Sequence, residues 1–300
     1  MHPMGSLGFR IFLICIFAAT FIVGFIGNGL VIFLTGCRMK TTVNSIWFLN
    51  LAIADFIFIL SIIILILIIT FIGYFSNIMY IFYMTTTLNQ FAIIFFLVVI
   101  SLDRCLCTRM VVWSQNNRTV LRARIICMIV WVSSIGYCIP FFTVNVFPAK
   151  FLGTYVFLLG FLIPFLIIAS SHIAVGVRIK RLKMRKQHRS HRVIIAIILT
   201  FFICCFPYSV CATMIGNSEM ENWSANDKKV LIFSADLVFL NSCLNPILSV
   251  FMCDECKKKL KQSLLLVLET AFSEEHLIFR GRQIQKDEQN KKNTFELLDM

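Results

Sequence analysis

The chain has 300 residues, 59% of them hydrophobic and only 14% charged, with a net charge of +13. Soluble domains carry about 25% charged residues, and so little polar surface cannot cover a water-soluble globule of this size. The composition excludes a soluble enzyme or binding module and makes lipid the solvent for most of the chain.

Residues 11–37, 56–102, 125–149, 151–177 and 193–218 hold no Asp, Glu, Lys or Arg, and 230–253 holds one acid, Asp236. A helix needs roughly 20 apolar residues to cross the hydrocarbon core, and the second stretch is long enough for two. The predicted fold is all-α, a bundle of seven transmembrane helices over 11–36, 44–71, 76–103, 124–147, 151–178, 193–216 and 229–252. Barrel strands would alternate in short segments, and these runs do not. The first run is far longer than the apolar core of a signal peptide and reads as a retained helix.

Basic residues cluster on one side. Arg38 and Lys40 lie in the first connection of that side, Arg104 to Arg124 in the next, and Arg178 to Arg192 in the third; Lys257 to Lys261 open the tail. The positive-inside rule puts these in the cytoplasm and residues 1–10 outside. After the transmembrane domain, 11–252, residues 253–272 read as a short amphipathic helix in the membrane interface, with Leu260, Leu264, Leu265 and Leu268 on one face. Cys253 and Cys256 stand where S-palmitoylation would add an anchor. Residues 273–300 read as a disordered cytoplasmic tail. The cysteines lie mostly inside spans, none in an outer loop, so no disulfide is expected. Asn222-Trp223-Ser224 is an outward-facing glycosylation sequon.

Polar residues inside spans are costly and either glue helices together or carry function. The set here is Asn28, Asp55, Asn89, Asn241, Ser242 and Asn245. An isolated carboxylate in a dry bundle is prohibitive, so Asp55 needs amide partners, water or a cation such as sodium. A structural amide–acid cluster and a sodium-linked activation switch both fit. Asp103-Arg104 ends the third span, either as an interfacial ion pair or as a bistable element. Pro140, Pro164, Pro207 and Pro246 fall in four successive spans, where each removes a hydrogen bond and permits a kink. No metal-ligand spacing, phosphate loop or nucleophile–base pair appears, so the chain reads as a non-enzyme.

Together, Gly27-Asn28, Leu51-Ala52-Ile53-Ala54-Asp55, Asp103-Arg104-Cys105, Trp131, Pro164, Pro207 and Asn245-Pro246 resemble the rhodopsin-like family of G-protein-coupled receptors over about residues 10–275. The segments 102–105, 112–119, 161–164, 240–246 and 268–274 resemble its chemoattractant branch, that of formyl peptide, chemerin-like and prostaglandin D2 chemoattractant receptors. The resemblance implies a plasma-membrane receptor in leukocyte-like chemotaxis and inflammation. It also implies an outward-facing ligand pocket, coupling to an inhibitory-type heterotrimeric G protein, and arrestin and lipids as further partners.

The chain departs from that pattern. Met79 stands where the family has the cysteine of its outer disulfide, and Cys205 where it has the rotating Trp before Pro207. Ser249 replaces the Tyr after Asn245-Pro246, His172 the fifth-helix Tyr, and Ile93 a Ser near the sodium site. Thr87, Leu152 and Val156 stand where formyl peptide receptors carry their acid and bases. The expected pocket lining, Tyr83, Thr86, Thr87, Gln90, Tyr155, Phe206 and Tyr208, is uncharged and suits an apolar or weakly polar ligand. The departures leave a receptor-shaped protein that does not signal as the alternative. A transporter is less in keeping, since neither paired intramembrane charges nor repeats with broken helices appear.

Overall fold

The computed structural model describes residues 7–70, 76–142, 149–181, 188–217 and 225–252. The amphipathic helix, the tail, Asn222, Cys253 and Cys256 lie outside them, as does the side chain of Ser249.

The described residues form seven long rods and one short connecting helix, with no strand among them. The rods are α1 (Leu7–Phe33, running on through a π turn, Leu34–Arg38), α2 (Val43–Thr70), α3 (Ser76–Arg109), α5 (Val120–Phe142), the pair α6 (Ala149–Phe157) and α7 (Ile163–Arg181), α8 (His188–Asn217) and α9 (Ala225–Met252); α4 (Val111–Asn117) links α3 to α5. A π turn, Leu158–Leu162, joins α6 to α7 into one rod. It lies just before Pro164, whose missing N–H breaks the regular ladder there, and the wider turn accommodates the break.

The stretches Leu7–Arg38, Val43–Leu67, Thr85–Arg109, Val120–Phe141 and Phe151–Arg181 are long and apolar enough to cross a membrane, and α8 holds a shorter apolar stretch, Leu199–Cys211. Helices this apolar expose large side chains outward, among them Ile22 and Ile26 on α1, Met128 and Val132 on α5, and Ile173 and Val177 on α7. A rod hydrophobic all round is what a hydrocarbon solvent selects.

The rods close into a ring. α1 packs on α2 and α9, α9 on α8, α8 on α6, and α3 lies against α2, α5 and α7. Phe17, Phe96, Phe141 and Phe201 fill the interior, and Phe58 stacks on Phe239 with centroids 4.4 Å apart. Where α1 meets α2 and α9, Gly24 lets the rods approach: a Cβ there would lie 2.6 Å from Ile59 Cδ1 and 2.9 Å from Cys243 Sγ. α2 opens with a reciprocal cap, in which the Thr42 N–H donates to Ser45 Oγ at 2.8 Å and the Ser45 N–H to Thr42 Oγ1 at 3.1 Å.

Several ends differ from expectation. α3 runs to Arg109 rather than 103, α5 begins at Val120 rather than 124, and α8 is already helical at His188 rather than from 193. Charged residues mark where a rod leaves lipid, not where its backbone stops, because Arg and Lys are good helix formers.

Candidate functional site

Asp55, on α2, is fully buried and is held by α9. The Asn245 side-chain amide donates to both carboxylate oxygens, at 2.9 and 3.2 Å. Ser242, one turn earlier on α9, supplies a second side-chain hydrogen bond to Asp55. Asn28 of α1 completes the junction from the other side, its amide donating to the carbonyls of Gly24 at 3.0 Å and Ser242 at 3.1 Å. Pro246 packs against α1 beside Gly27, where a Cβ would come within 3.3 Å of the proline ring.

Of the expected polar set, the structure therefore joins Asn28, Asp55, Ser242 and Asn245. Asn89 and Asn241 are buried but do not bond the carboxylate; the Asn89 amide donates instead to the Thr85 carbonyl at 2.8 Å. The amide oxygens of Asn28 and Asn89 are buried with no donor. The carboxylate and the Ser242 hydroxyl beside it are oxygen donors, the kind a small hard cation prefers.

Nearer the end where α1 begins, Asp236 is also buried, accepting from the Thr20 hydroxyl at 3.3 Å, while the Cys243 thiol donates to the Thr20 carbonyl. Asp236 thus ties α9 to α1.

At the basic end, Asp103 pairs with Arg118, not with its neighbour Arg104. Arg118 Nε and Nη2 donate to the two carboxylate oxygens, each at 2.8 Å, and Nη2 also reaches Asn44 Oδ1 on α2. Adjacent residues on a helix point to different faces, so Asp103 and Arg104 do not face each other. The fork joins α3, α2 and the segment after α4 at one point. α4 itself buries no residue and is otherwise held by the Ser114 hydroxyl, which donates to Cys107 Sγ at 3.2 Å, and by Arg122 Nη1 of α5, which donates to the Asn117 carbonyl at 2.8 Å and to Asn117 Oδ1 at 2.7 Å. Arg118→Gln is therefore expected to speed amide exchange over 110–118 several-fold while leaving the thermal midpoint of the bundle within about 2 °C. Hydrogen-exchange mass spectrometry of the purified protein checks this.

His172 is buried, with Nε2 3.1 Å from Ser101 Oγ on α3. Pro207 and Cys205 lie on α8, with Cys205 buried. Phe206 is 39% exposed and stacks on exposed Phe202, with its ring also near Phe161. It therefore lies on an outward stripe rather than among the interior polar groups. The Tyr155 hydroxyl donates to the Tyr137 carbonyl at 2.9 Å, and its ring packs with Phe91, Tyr137 and Phe141. That arrangement is packing between α3, α5 and α6. Thr87 is buried, Thr86, Gln90 and Tyr208 are half-buried, and Tyr83 lies on α3. Trp131 Nε1 donates to Asn50 Oδ1 at 3.2 Å and ties α5 to α2.

Sequence reasoning did not single out Arg118, Asn44, Ser101 or Thr20 as partners. Arg118 was visible only as one of several loop cations, and the other three carry no signal in a single sequence.

A buried acid gripped by the proline-bearing seventh rod, above a clamped acid at the basic end of the third, is the internal wiring of a seven-helix receptor. The sequence profile of the family "7 transmembrane receptor (rhodopsin family)" matches residues 27–248, and the chain belongs to that family. It is a G-protein-coupled receptor of the chemoattractant branch. It is 36% identical to the C3a anaphylatoxin chemotactic receptor of Danio rerio, over 94% of this chain and 81% of that protein. It is 32% identical to prostaglandin D2 receptor 2 of Mus musculus, over 85% of this chain and 75% of that one. It is 33% identical to the fMet-Leu-Phe receptor of Macaca mulatta, over 87% and 86%. The chain is accordingly a multi-pass plasma-membrane protein of a family whose members couple to G proteins and answer to extracellular ligands.

Proposed function

We propose that this receptor places its basic end in the cytoplasm and its N-terminus outside, takes an apolar or weakly polar ligand at the outer end, and activates an inhibitory-type G protein. The observation that carries the coupling is α4. Val111, Val112 and Trp113 are 51, 72 and 48% exposed. Arg109, Arg122 and Arg124 lie close by in sequence and are exposed too. An apolar knob at a basic, water-facing end is a surface for a partner. Arrestin would compete for the same end. Uncharged Thr86, Thr87, Gln90 and Tyr208, with Tyr83, support the ligand class, since a charged ligand would find no partner among them.

A G-protein dissociation assay in cells, at matched surface level, tests the proposal. Wild type is expected to activate an inhibitory-type G protein, basally or with ligand, and Val112→Asp to weaken that about tenfold or more, as for an interface anchor. Equal responses would remove α4 as the docking surface. A receptor-shaped protein that does not signal is the second reading, favoured by Cys205 and Ser249 at the switch positions. It would show as a surface-displayed chain that activates no G protein.

For sodium, Asp55, Ser242 and the amide oxygen of Asn89 are the residues that would hold the ion. It would supply a positive charge that stabilises the arrangement around Asp55, with Ile93 withholding one hydroxyl.

A further inference from the structure

α3 and α7 lie against each other, and between them sits a buried polar pair, Ser101 and His172, 3% and 4% exposed. Ser101 lies two residues before Asp103, at the basic half of the bundle. Its hydroxyl has a single proton, which is donated to the Leu97 carbonyl at 2.7 Å. What Ser101 Oγ turns toward His172 Nε2, 3.1 Å away, is therefore a lone pair. In that arrangement a ring hydrogen on Nε2 completes the bond, whereas the other neutral tautomer would set two lone pairs against each other. Ile168 and Val175, one turn to either side on α7, are buried and keep the surroundings dry, where a hydrogen bond is strong.

We propose that His172, as the neutral Nε2–H tautomer, is a latch that clasps the basic half of α7 to α3 and holds the receptor in the arrangement seen here. The bond exists only while α7 lies against α3, so any arrangement in which α7 withdraws loses it. His172 is a positioning residue; it touches no ligand.

The signalling half of the test rests on the proposed coupling, so the latch is also read without a G protein. His172→Phe and Ser101→Ala are made singly and together, with His172→Gln as the variant that keeps an amide N–H near the Nε2 position. Basal G-protein activation at matched surface level should rise about five- to tenfold in each single variant, the weight of one hydrogen bond. The double variant should rise no further, and His172→Gln should stay near wild type. In purified receptor, labels placed at 109 and 181 should report a longer α3–α7 separation in His172→Phe and Ser101→Ala and the wild-type separation in His172→Gln. Nitrogen-15 spectra of the wild type should show the proton on Nε2. Unchanged separations in the two disrupting variants, a long separation in folded His172→Gln, or a proton on Nδ1 would overturn the latch even in a chain that activates no G protein.

Discussion

Replacing Asp55 with alanine is expected to lower the thermal midpoint of the purified receptor by roughly 5–10 °C and to abolish any effect of sodium on its basal signalling. The carboxylate accepts both bonds of the Asn245 amide and one from Ser242, and Asn28 grips the Ser242 carbonyl from α1. Removing the acceptor leaves an amide and a hydroxyl buried without a partner, each costing about 1–3 kcal/mol. Water cannot rescue them cheaply in the middle of a rod bundle. Asp55→Asn separates the two roles. It keeps an acceptor and much of the packing, so the midpoint should fall by less than half as much, while the charge that would hold a cation is gone. Thermal unfolding in detergent with and without sodium checks both variants. An unchanged midpoint for Asp55→Ala would mean that the junction of α1, α2 and α9 does not depend on this carboxylate.

Gly24→Leu is expected to be the most damaging substitution on α1. Even a Cβ at this position would fall 2.6 Å from Ile59 Cδ1 and 2.9 Å from Cys243 Sγ. Ile59 is fully buried and Cys243 nearly so, and neither has room to retreat. A leucine must separate α1 from both neighbours, straining packing by about 1–3 kcal/mol or more and stretching the Asn28–Ser242 and Thr20–Cys243 contacts on either side. The expected outcome is loss of most surface display, measured by antibody to an N-terminal tag, with the residual protein unfolding well below wild type. Gly36→Leu is the control, since a Cβ at Gly36 meets nothing within 4 Å. Similar losses for both would show that α1 tolerates no added bulk anywhere, and the close approach at Gly24 would explain nothing.

The rods were legible in the sequence because a helix in lipid must be long, uncharged and internally bonded, and those demands leave runs that can be counted. The junction at Asp55 was legible for a related reason: a lone acid in such a run must find partners, and the few amides at comparable depth are Asn28, Asn89, Asn241 and Asn245. Which of them answer it was not legible. The choice of Asn245 and Ser242 over Asn89 and Asn241 depends on how α2, α3 and α9 are rotated. A helix that is apolar all round gives no periodicity from which to read rotation. The same lack hid that Cys205 points inward and Phe206 outward, although they are neighbours. Asp103 and Arg104 are adjacent in sequence, yet the ion pair forms fifteen residues away at Arg118, once α4 has turned the chain back. The π turn before Pro164 and the clasp of His172 on Ser101 are likewise products of packing, which local residue types do not announce.

Which end of the bundle meets the cytoplasm underlies the G-protein surface, the ligand end and the latch alike. Its most direct measurement is the sidedness of the connection between α7 and α8, by a protease site inserted at 182–187. The site is expected to resist protease on intact cells and to be cut once the membrane is permeabilised. An N-terminal tag should be cut from intact cells. Cleavage at 182–187 on intact cells, or protection of both termini on the same side, would contradict it.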